Sequence, residues 1–267
     1  MVINDVGVVG KAPHAIAAFR QYRKPWIRIL DYCGLLPRGR QYRVELRNGL
    51  RFVVRASTGD LPIIDEVFIH GLYDNGLNRL GEGKTVVDIG AHTGVFAIAA
   101  AARGAQVFCY EPMPDNFDLL SVNVALNGVQ NRIRASRLAV AGSGGELDLH
   151  AMEGDTGGST AFPTIHPWWA SRGGATRLRV ECRSLGEVFQ MNDLREIDCL
   201  KVDCEGAEYE IFGKADPEDL RRIKAIVMEY HPNGRIEDIG CLLEKVGFSV
   251  EVMPKRSIAF AWRGTPA

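Results

Sequence analysis

The stretch Val86-Val87-Asp88-Ile89-Gly90-Ala91-His92-Thr93-Gly94 decides how this chain folds. An apolar run carrying one carboxylate enters a glycine-containing turn, and Val95–Arg103 follows as an apolar helix. Gly90 lets the backbone turn sharply after the strand. Gly94 lets the helix begin close against the sheet, with its first amides free to donate. Open α/β sheets bind ligands in such crevices, at the carboxyl ends of their strands. A dinucleotide site would show G-x-G-x-x-G, with bare backbone for the pyrophosphate. Here the spacing is G-x-x-x-G, and His92 stands where another glycine would help. Asp88 offers a carboxylate to an ammonium group, which favours a zwitterionic, cationic cofactor over NAD.

Glu111 ends the next apolar run, 23 residues after Asp88. An acid at that strand tip can accept hydrogen bonds from both hydroxyls of a ribose. Pro112 and Pro114 pre-set the turn into the following helix. From Lys84 onward, short apolar strands alternate with helices. The strands read as Thr85–Ile89, Gln106–Tyr110, Ile133–Val140, Cys199–Asp203 and Ala225–Glu229. The helices read as Val95–Arg103, Pro114–Leu126, Ser184–Asn192 and Pro217–Arg222. This alternation predicts an α/β fold with a parallel sheet and helices on both faces. Glu146–Ala151 and Arg177–Cys182 form an extra strand pair that interrupts the rhythm. Helix Ile236–Val246 stops at Gly247, and Phe248–Met253 and Ser257–Trp262 then flank Pro254-Lys255-Arg256 as an antiparallel hairpin. Near the start, Gln41–Arg47 and Leu50–Arg55 flank Asn48-Gly49, a pair suited to a type I′ hairpin turn.

The chain has 267 residues, 46% apolar and 24% charged, with a formal net charge of −1. That size supports a core without staples, and the balanced charge argues against a nucleic-acid partner. Charge is unevenly spread, with nine basic against three acidic side chains in residues 1–50. Ala12–Tyr32 reads as a basic amphipathic helix broken by Pro25. Such a helix either docks on the main body or makes peripheral contact with an anionic membrane. The N-terminal helix and hairpin together offer a surface for a homodimer. Six scattered cysteines without a CxxC pair, no signal-peptide pattern and no transmembrane segment point to a reduced, cytoplasmic protein.

The motifs resemble those of FkbM-type S-adenosylmethionine-dependent methyltransferases. The matching residues are Glu66-Val67-Phe68 with Gly71 and Tyr73, the run Asp88 to Gly94, Glu111-Pro112, Asn123 and Leu126-Asn127. They continue through Ala139-Val140, Lys201-Val202-Asp203-Cys204-Glu205-Gly206-Ala207-Glu208 and Glu229-Tyr230-His231. Two departures are His92, where the family usually shows Asn, and a long insertion around Trp168-Trp169. The resemblance implies a Rossmann-like class I methyltransferase fold, a mostly parallel seven-stranded sheet closed by the C-terminal antiparallel hairpin. It implies S-adenosyl-L-methionine as methyl donor and a hydroxyl acceptor on a sugar, secondary metabolite or other small molecule. Gly90, His92 and Gly94 would hold the methionine portion, Glu111 the ribose, and Ala139 would lie beside adenine. Tyr73 would come from an N-terminal lid, residues 1–80, over a cofactor-binding domain, 81–267, with an acceptor-side insertion at 146–182.

Methyl transfer is an in-line displacement, and an alcohol attacks well only once its proton is removed. The candidates lie after the fourth and fifth parallel strands: Asp203, Glu205 and Glu208, then Glu229 and His231. His231 is the simplest general base, because imidazole changes charge near neutrality. Asp203 could share that work, bind the cofactor or orient the acceptor, and Glu205 stands beside it. A divalent metal on Asp203 and Glu229 is the lesser reading, since the second strand tip lacks the Asp-Asn pair of catechol-type enzymes. The bland alternative is a solvated carboxylate patch with Lys201 as counter-ion. Gly157-Gly158-Ser159-Thr160 and His166-Pro167-Trp168-Trp169 are further candidates for acceptor contact. Competing functions are N-methylation, a nicotinamide-dependent oxidoreductase and a non-catalytic interaction protein.

Overall fold

A computed structural model describes residues 19–152, 155–165 and 175–264. The chain enters through helix α1 (Pro25–Tyr32) and the hairpin β1 (Gln41–Glu45) and β2 (Arg51–Arg55). Residues 19–21 are helical, and the helix breaks at Tyr22, which bridges Leu46. Helix α1 begins anew at Pro25, whose missing N–H is unneeded in a first turn, so the expected break falls where the proline sits. Residues 12–18 of the expected longer helix lie outside the described residues. The hairpin forms at Asn48-Gly49, with a different turn from the one expected. Gly49 takes φ +91° while Asn48 stays at negative φ, and Gly49 N donates to Leu46 O at 3.1 Å. That is a type I turn followed by a left-handed glycine, a three-residue loop.

Helices α2 (Asp60–Phe68) and α3 (Asp74–Leu77) lead into the main sheet. Its parallel strands are β3 (Thr85–Ile89), β4 (Gln106–Tyr110), β5 (Ile133–Ser136), β9 (Cys199–Val202) and β10 (Ala225–Glu229). Helices α4 (Val95–Ala101) and α5 (Pro114–Leu126) connect the first three. Ile133–Val140, read as one strand, is two. Ile133–Ser136 pairs with β4, whereas β6 (Ala139–Val140) leaves the sheet and pairs with Cys182 and Arg183. Apolar alternation cannot register a change of partner halfway along a run. Strands β7 (Gly145–Ala151) and β8 (Thr176–Arg183) complete a three-stranded sheet, ordered β6-β8-β7.

Helix α6 (Leu185–Met191) carries a capping box, Ser184 with Glu187. The helices α7 (Glu208–Lys214), α8 (Pro217–Arg221) and α9 (Ile236–Lys245) follow, and β11 (Ser249–Met253) and β12 (Ile258–Trp262) end the fold. The seven-stranded order is β11-β12-β10-β9-β3-β4-β5, and β12 runs antiparallel between β10 and β11. The sheet has two apolar faces, as parallel sheets require. Val87, Ile89, Leu200, Val202, Ile226 and Met228 pack against α6, α7 and α9 on one side. Val86, Val107, Cys199 and Val227 pack on the other, in a core continuous with Tyr22, Phe52, Val54 and Ile64 of the N-terminal segment. Asn123, fully buried on α5, fastens that segment in place. Its Oδ1 accepts from Val53 N at 2.7 Å, and its Nδ2 donates to Thr93 O at 3.0 Å. No helix among the described residues is long and apolar enough to cross a membrane.

Candidate active site

Strand β3 delivers Asp88 to the carboxyl edge of the sheet, and the chain then reverses through Gly90 at φ +74°. A Cβ at Gly90 would stand 1.7 Å from Asp203 O, so the tips of β3 and β9 meet where only glycine fits. His92 (φ +51°) and Gly94 (φ +84°) also take the left-handed region. The turn is held from β4. Gly90 N and Ala91 N both donate to Tyr110 O at 3.0 Å, and His92 N donates to Glu111 Oε2 at 2.8 Å. Glu111 Oε1 accepts from Met113 N at 2.9 Å. Burial pushes the Glu111 carboxyl up to about 7 against these amide hydrogen bonds.

Buried polar atoms on this turn lack hydrogen-bond partners, both His92 ring nitrogens and Thr93 Oγ1, whereas Asp88 before the turn faces Lys201. Each such atom costs on the order of 1–3 kcal/mol when left unpaired. Their gathering on one glycine turn is what a polar ligand site looks like without its ligand. His92, Thr93 and the Glu111 carboxylate, which keeps lone pairs beyond its bonds from His92 N, Met113 N and Asn116 Nδ2, could hold the polar ends of S-adenosylmethionine. Asp88 has a different neighbour from the one expected. It is fully buried, and Lys201 Nζ lies 3.3 Å from its Oδ1.

Lys201 is itself buried, donates to Gly90 O at 2.7 Å and lies 3.4 Å from Asp203 Oδ2. Burial works against its charge, but Asp88 and Asp203 together raise its pKa. The bland reading of a solvated patch is therefore corrected, because the cation joining these carboxylates is inside the protein. Tyr73, at the start of α3, donates to Asp203 Oδ2 at 3.1 Å and lies 3.5 Å from Glu229 Oε2. Burial, with Asp203 and Glu229 beside it, pushes the Tyr73 hydroxyl well up. Its hydroxyl thus meets the tips of β9 and β10, on the side expected to take the acceptor. Glu66 of α2 faces the same group, and burial with Asp203 nearby raises it to about 7. Burial and Asp203 likewise hold Glu229 well above the usual carboxylate range.

His231 is clamped. Its Nε2 lies 3.1 Å from Glu205 Oε2 and its Nδ1 lies 3.2 Å from Glu208 Oε1. Burial alone would lower its pKa, but hydrogen bonds to the two carboxylates raise it to about 11. An imidazole that titrates near neutrality is therefore not what the fold provides, since His231 carries its proton at pH 7. Glu205 adopts φ +53°, and Thr160, fully buried, donates its hydroxyl to Glu205 O. Thr160 was expected to face a substrate, but it is spent pinning this turn. His166 to Trp169 lie outside the described residues. Ala139 is buried in β6, one short strand beyond Ser136, whose carbonyl accepts from Glu111 N at 3.2 Å.

Sequence reading missed a second set of residues. Asp60, fully buried at the start of α2, accepts from Arg55 Nε and Nη2 at 2.8 Å each. Arg55 also donates to Asn116 Oδ1 at 2.7 Å, and Thr156 Oγ1 donates to Asp60 Oδ1 at 3.0 Å. His92 Nε2 stands 3.6 Å from Asp60 Oδ1. Burial pushes His92 down to about 4, so it is neutral at pH 7 and Arg55 balances Asp60. The only local signal was an Arg and an Asp five positions apart, which is too common to mark a site.

A doubly wound sheet with an antiparallel strand between its last two parallel-running neighbours, and a glycine turn at the carboxyl edge, defines the Rossmann-like methyltransferase class. The family described as "Methyltransferase FkbM domain" matches residues 88–250, and the chain belongs to it. Among characterised proteins, methyltransferase sdnD of Sordaria araneosa is 30% identical over 213 residues, 70% of this chain and 82% of that protein. The hexuronic acid methyltransferase AglP of Haloferax volcanii is 24% identical over 176 residues, 66% of this chain and 68% of that one. Among solved structures, a SAM-dependent methyltransferase from Agrobacterium tumefaciens aligns at a TM-score of 0.46 and 14% identity, over 86% of this chain and 71% of that one.

Proposed function

We propose that this methyltransferase moves the methyl group of S-adenosyl-L-methionine onto a hydroxyl of a small molecule or saccharide. The observation that carries this is the meeting of two half-sites at one sheet edge. The unpartnered polar atoms of His92 and Thr93 stand beside the β9 and β10 tips, where Asp203, Glu205, Glu229 and His231 gather. The sulfonium of the donor supplies the transferable methyl when bound. Residues Tyr73, Gly90, His92, Gly94 and Glu111 bind and orient that donor, with Ala139 beside its adenine. Asp203 and Glu205 orient the acceptor hydroxyl, and the carboxylates of the cluster receive its proton. His231 stays protonated and holds Glu205 in place.

Residues up to about 80 serve as a lid that supplies Tyr73 and Glu66 to this cluster. The name of the Haloferax relative supports a sugar acid among the acceptors to be tried. Six free cysteines support a reducing, cytoplasmic setting.

Calorimetric titration with S-adenosylmethionine and with NAD, separately, tests the donor. Binding of S-adenosylmethionine alone is expected, and binding of NAD alone overturns the reading. Labelled-methyl transfer to a panel of hydroxylated small molecules, sugars and amines, read by mass spectrometry, tests the acceptor. Labelling confined to amines overturns the hydroxyl assignment.

A further inference from the structure

We propose that the exposed face of α1 docks on an anionic lipid surface, with Trp26, Ile29 and Tyr32 entering the headgroup layer and a fringe of exposed cations meeting the lipid phosphates. The sequence left two readings of this basic helix, docking on the body and contact with a membrane, and the structure gives each its own face. Asp31, Ile27 and Arg28 share one side of α1, while Trp26, Ile29, Tyr32 and Cys33 fall within about 120° on the other, at about 3.6 residues per turn. The first side is fastened to the protein. Buried Asp31 accepts from the Tyr42 hydroxyl and from Ser57 N, both at 2.6 Å, and Arg28 Nε donates to Asp65 Oδ2 of α2 at 2.9 Å. The second side faces solvent.

Apolar exposure is concentrated there. Seven large apolar side chains are exposed among the described residues, and five of them, Phe19, Trp26, Ile29, Tyr32 and Leu35, belong to this short segment. Scattered exposed apolar residues are ordinary, whereas a contiguous patch marks a contact surface. Trp and Tyr suit the boundary between membrane and water, because an apolar ring carries a polar tip.

Charge separates a lipid surface from other occupants. Arg20, Arg23, Lys24, Arg38, Arg40, Arg43 and Arg47 are all exposed, before the face, after it and on the adjoining hairpin. The acids of residues 19–50 are Asp31, which is buried, and Glu45, which pairs with Arg23 at 3.3 Å. A second copy of the chain would bring this cationic fringe against its own like, because an isologous interface sets the same patch on both partners. A single-stranded nucleic acid would use the rings and the cations, but its bases offer nothing to Ile29 and Leu35. Anionic headgroups answer the cations, and the acyl boundary beneath them takes the rings and the aliphatic chains. A helix of 8 residues buries too little to insert stably, so the docking is peripheral and relies on charge.

Neither donor nor acceptor enters this reading, so it is tested without catalysis. The full chain is sedimented at low salt with vesicles of phosphatidylcholine alone and of phosphatidylcholine mixed with phosphatidylglycerol. Binding to the anionic vesicles should be tighter by about tenfold or more, and it should fall as salt rises. Arg20→Gln with Lys24→Gln should weaken it about 25-fold, since each cation near such a surface contributes about fivefold. Trp26→Ser with Ile29→Ser should weaken it about tenfold or more. All four side chains are exposed, so circular dichroism should not change. Met191→Ser, exposed on α6, should bind as the parent does. Trp26 emission, taken as the difference from Trp26→Phe, should be open to aqueous acrylamide in the free protein and shift to the blue on anionic vesicles. No binding to anionic vesicles, or binding indifferent to Trp26→Ser with Ile29→Ser, overturns the proposal. Trp26 already shielded in the free protein also overturns it. A dimer in light scattering that Trp26→Ser dissolves would give the face to a second copy instead, and tighter binding to polyuridylate than to the vesicles would give it to a nucleic acid.

Discussion

Lys201 Nζ lies 3.3 Å from Asp88 Oδ1 and thereby joins the tips of two neighbouring strands inside the protein. The two strands pair in register, Asp88 opposite Lys201, so the contact is a direct product of the β3–β9 ladder. Removing one member of a buried pair leaves an uncompensated charge and costs roughly 3–5 kcal/mol. Lys201→Met should lose that much in urea unfolding, and Lys201→Met with Asp88→Asn should lose clearly less than the sum of the single changes. Simple additivity would mean that the pair is not coupled.

Asp60 of α2 stands at the turn after β3, its Oδ1 3.6 Å from His92 Nε2. Through Arg55, Asn116 and Thr156 it draws β2, α5 and the 155–165 segment onto one buried carboxylate. Burial opposes its charge, and the Arg55 hydrogen bonds hold it below the usual carboxylate range. Asp60→Asn keeps the shape and removes the charge. It should weaken S-adenosylmethionine binding about tenfold by calorimetry while changing kcat at saturating donor by less than about threefold. A fall confined to kcat would place Asp60 nearer the chemistry than to the donor. A tenfold change corresponds to about 1.4 kcal/mol, at the upper end of the range for an ordinary intramolecular hydrogen bond.

Gly90 tolerates no side chain. Besides its positive φ, an added Cβ would overlap the Asp203 carbonyl, which is backbone and cannot swing aside. Gly90→Ala should separate the β3 and β9 tips, lower stability by more than about 2 kcal/mol and abolish donor binding. Gly128→Ala, at φ +68° but with open space around its Cβ, should bind the donor normally.

His92 makes acid stability diagnostic. Its folded pKa is about 4, below the ordinary value near 6.5, because burial opposes the imidazolium. Between those values the unfolded chain binds the extra proton, so stability rises with pH through that window and is lost on acidification. Burial, the largest effect, opposes the charged ring together with Arg55 and Lys201, and outweighs Asp60 and Asp203, which favour it. His92→Asn tolerates the left-handed backbone and removes this term. The stability of the parent relative to His92→Asn should therefore climb by up to about 3 kcal/mol from pH 4 to pH 7. A difference that is flat with pH would show that the ring is not held neutral.

Local signals made the main elements legible. Helix Pro114–Leu126 begins at a proline whose N–H is not needed, and β3 and β4 are short apolar runs bounded by turn residues. Helix α7 escaped notice because Glu208, Tyr209 and Glu210 precede its two buried apolar residues, Ile211 and Phe212, leaving too short a period to read. Ala139-Val140 looked like the continuation of β5, since a strand's alternation is the same whichever sheet it joins.

By itself the sequence determined the glycine turn after β3 and most of the strands and helices that follow it. The spacing of Gly90 and Gly94, the acid after β4 and the closing hairpin are local features, and glycine conformation and apolar period act within a few residues. Only the tertiary structure decided which charges meet. Lys201 is buried between Asp88 and Asp203, and Tyr73 reaches the tips of β9 and β10. His231 is clamped between Glu205 and Glu208, which changes it from an imidazole poised near neutrality to one that keeps its proton. These partners lie far apart along the chain or across a turn, and their protonation depends on burial and on neighbouring charge. Both are properties of packing, which no spacing of residue types encodes.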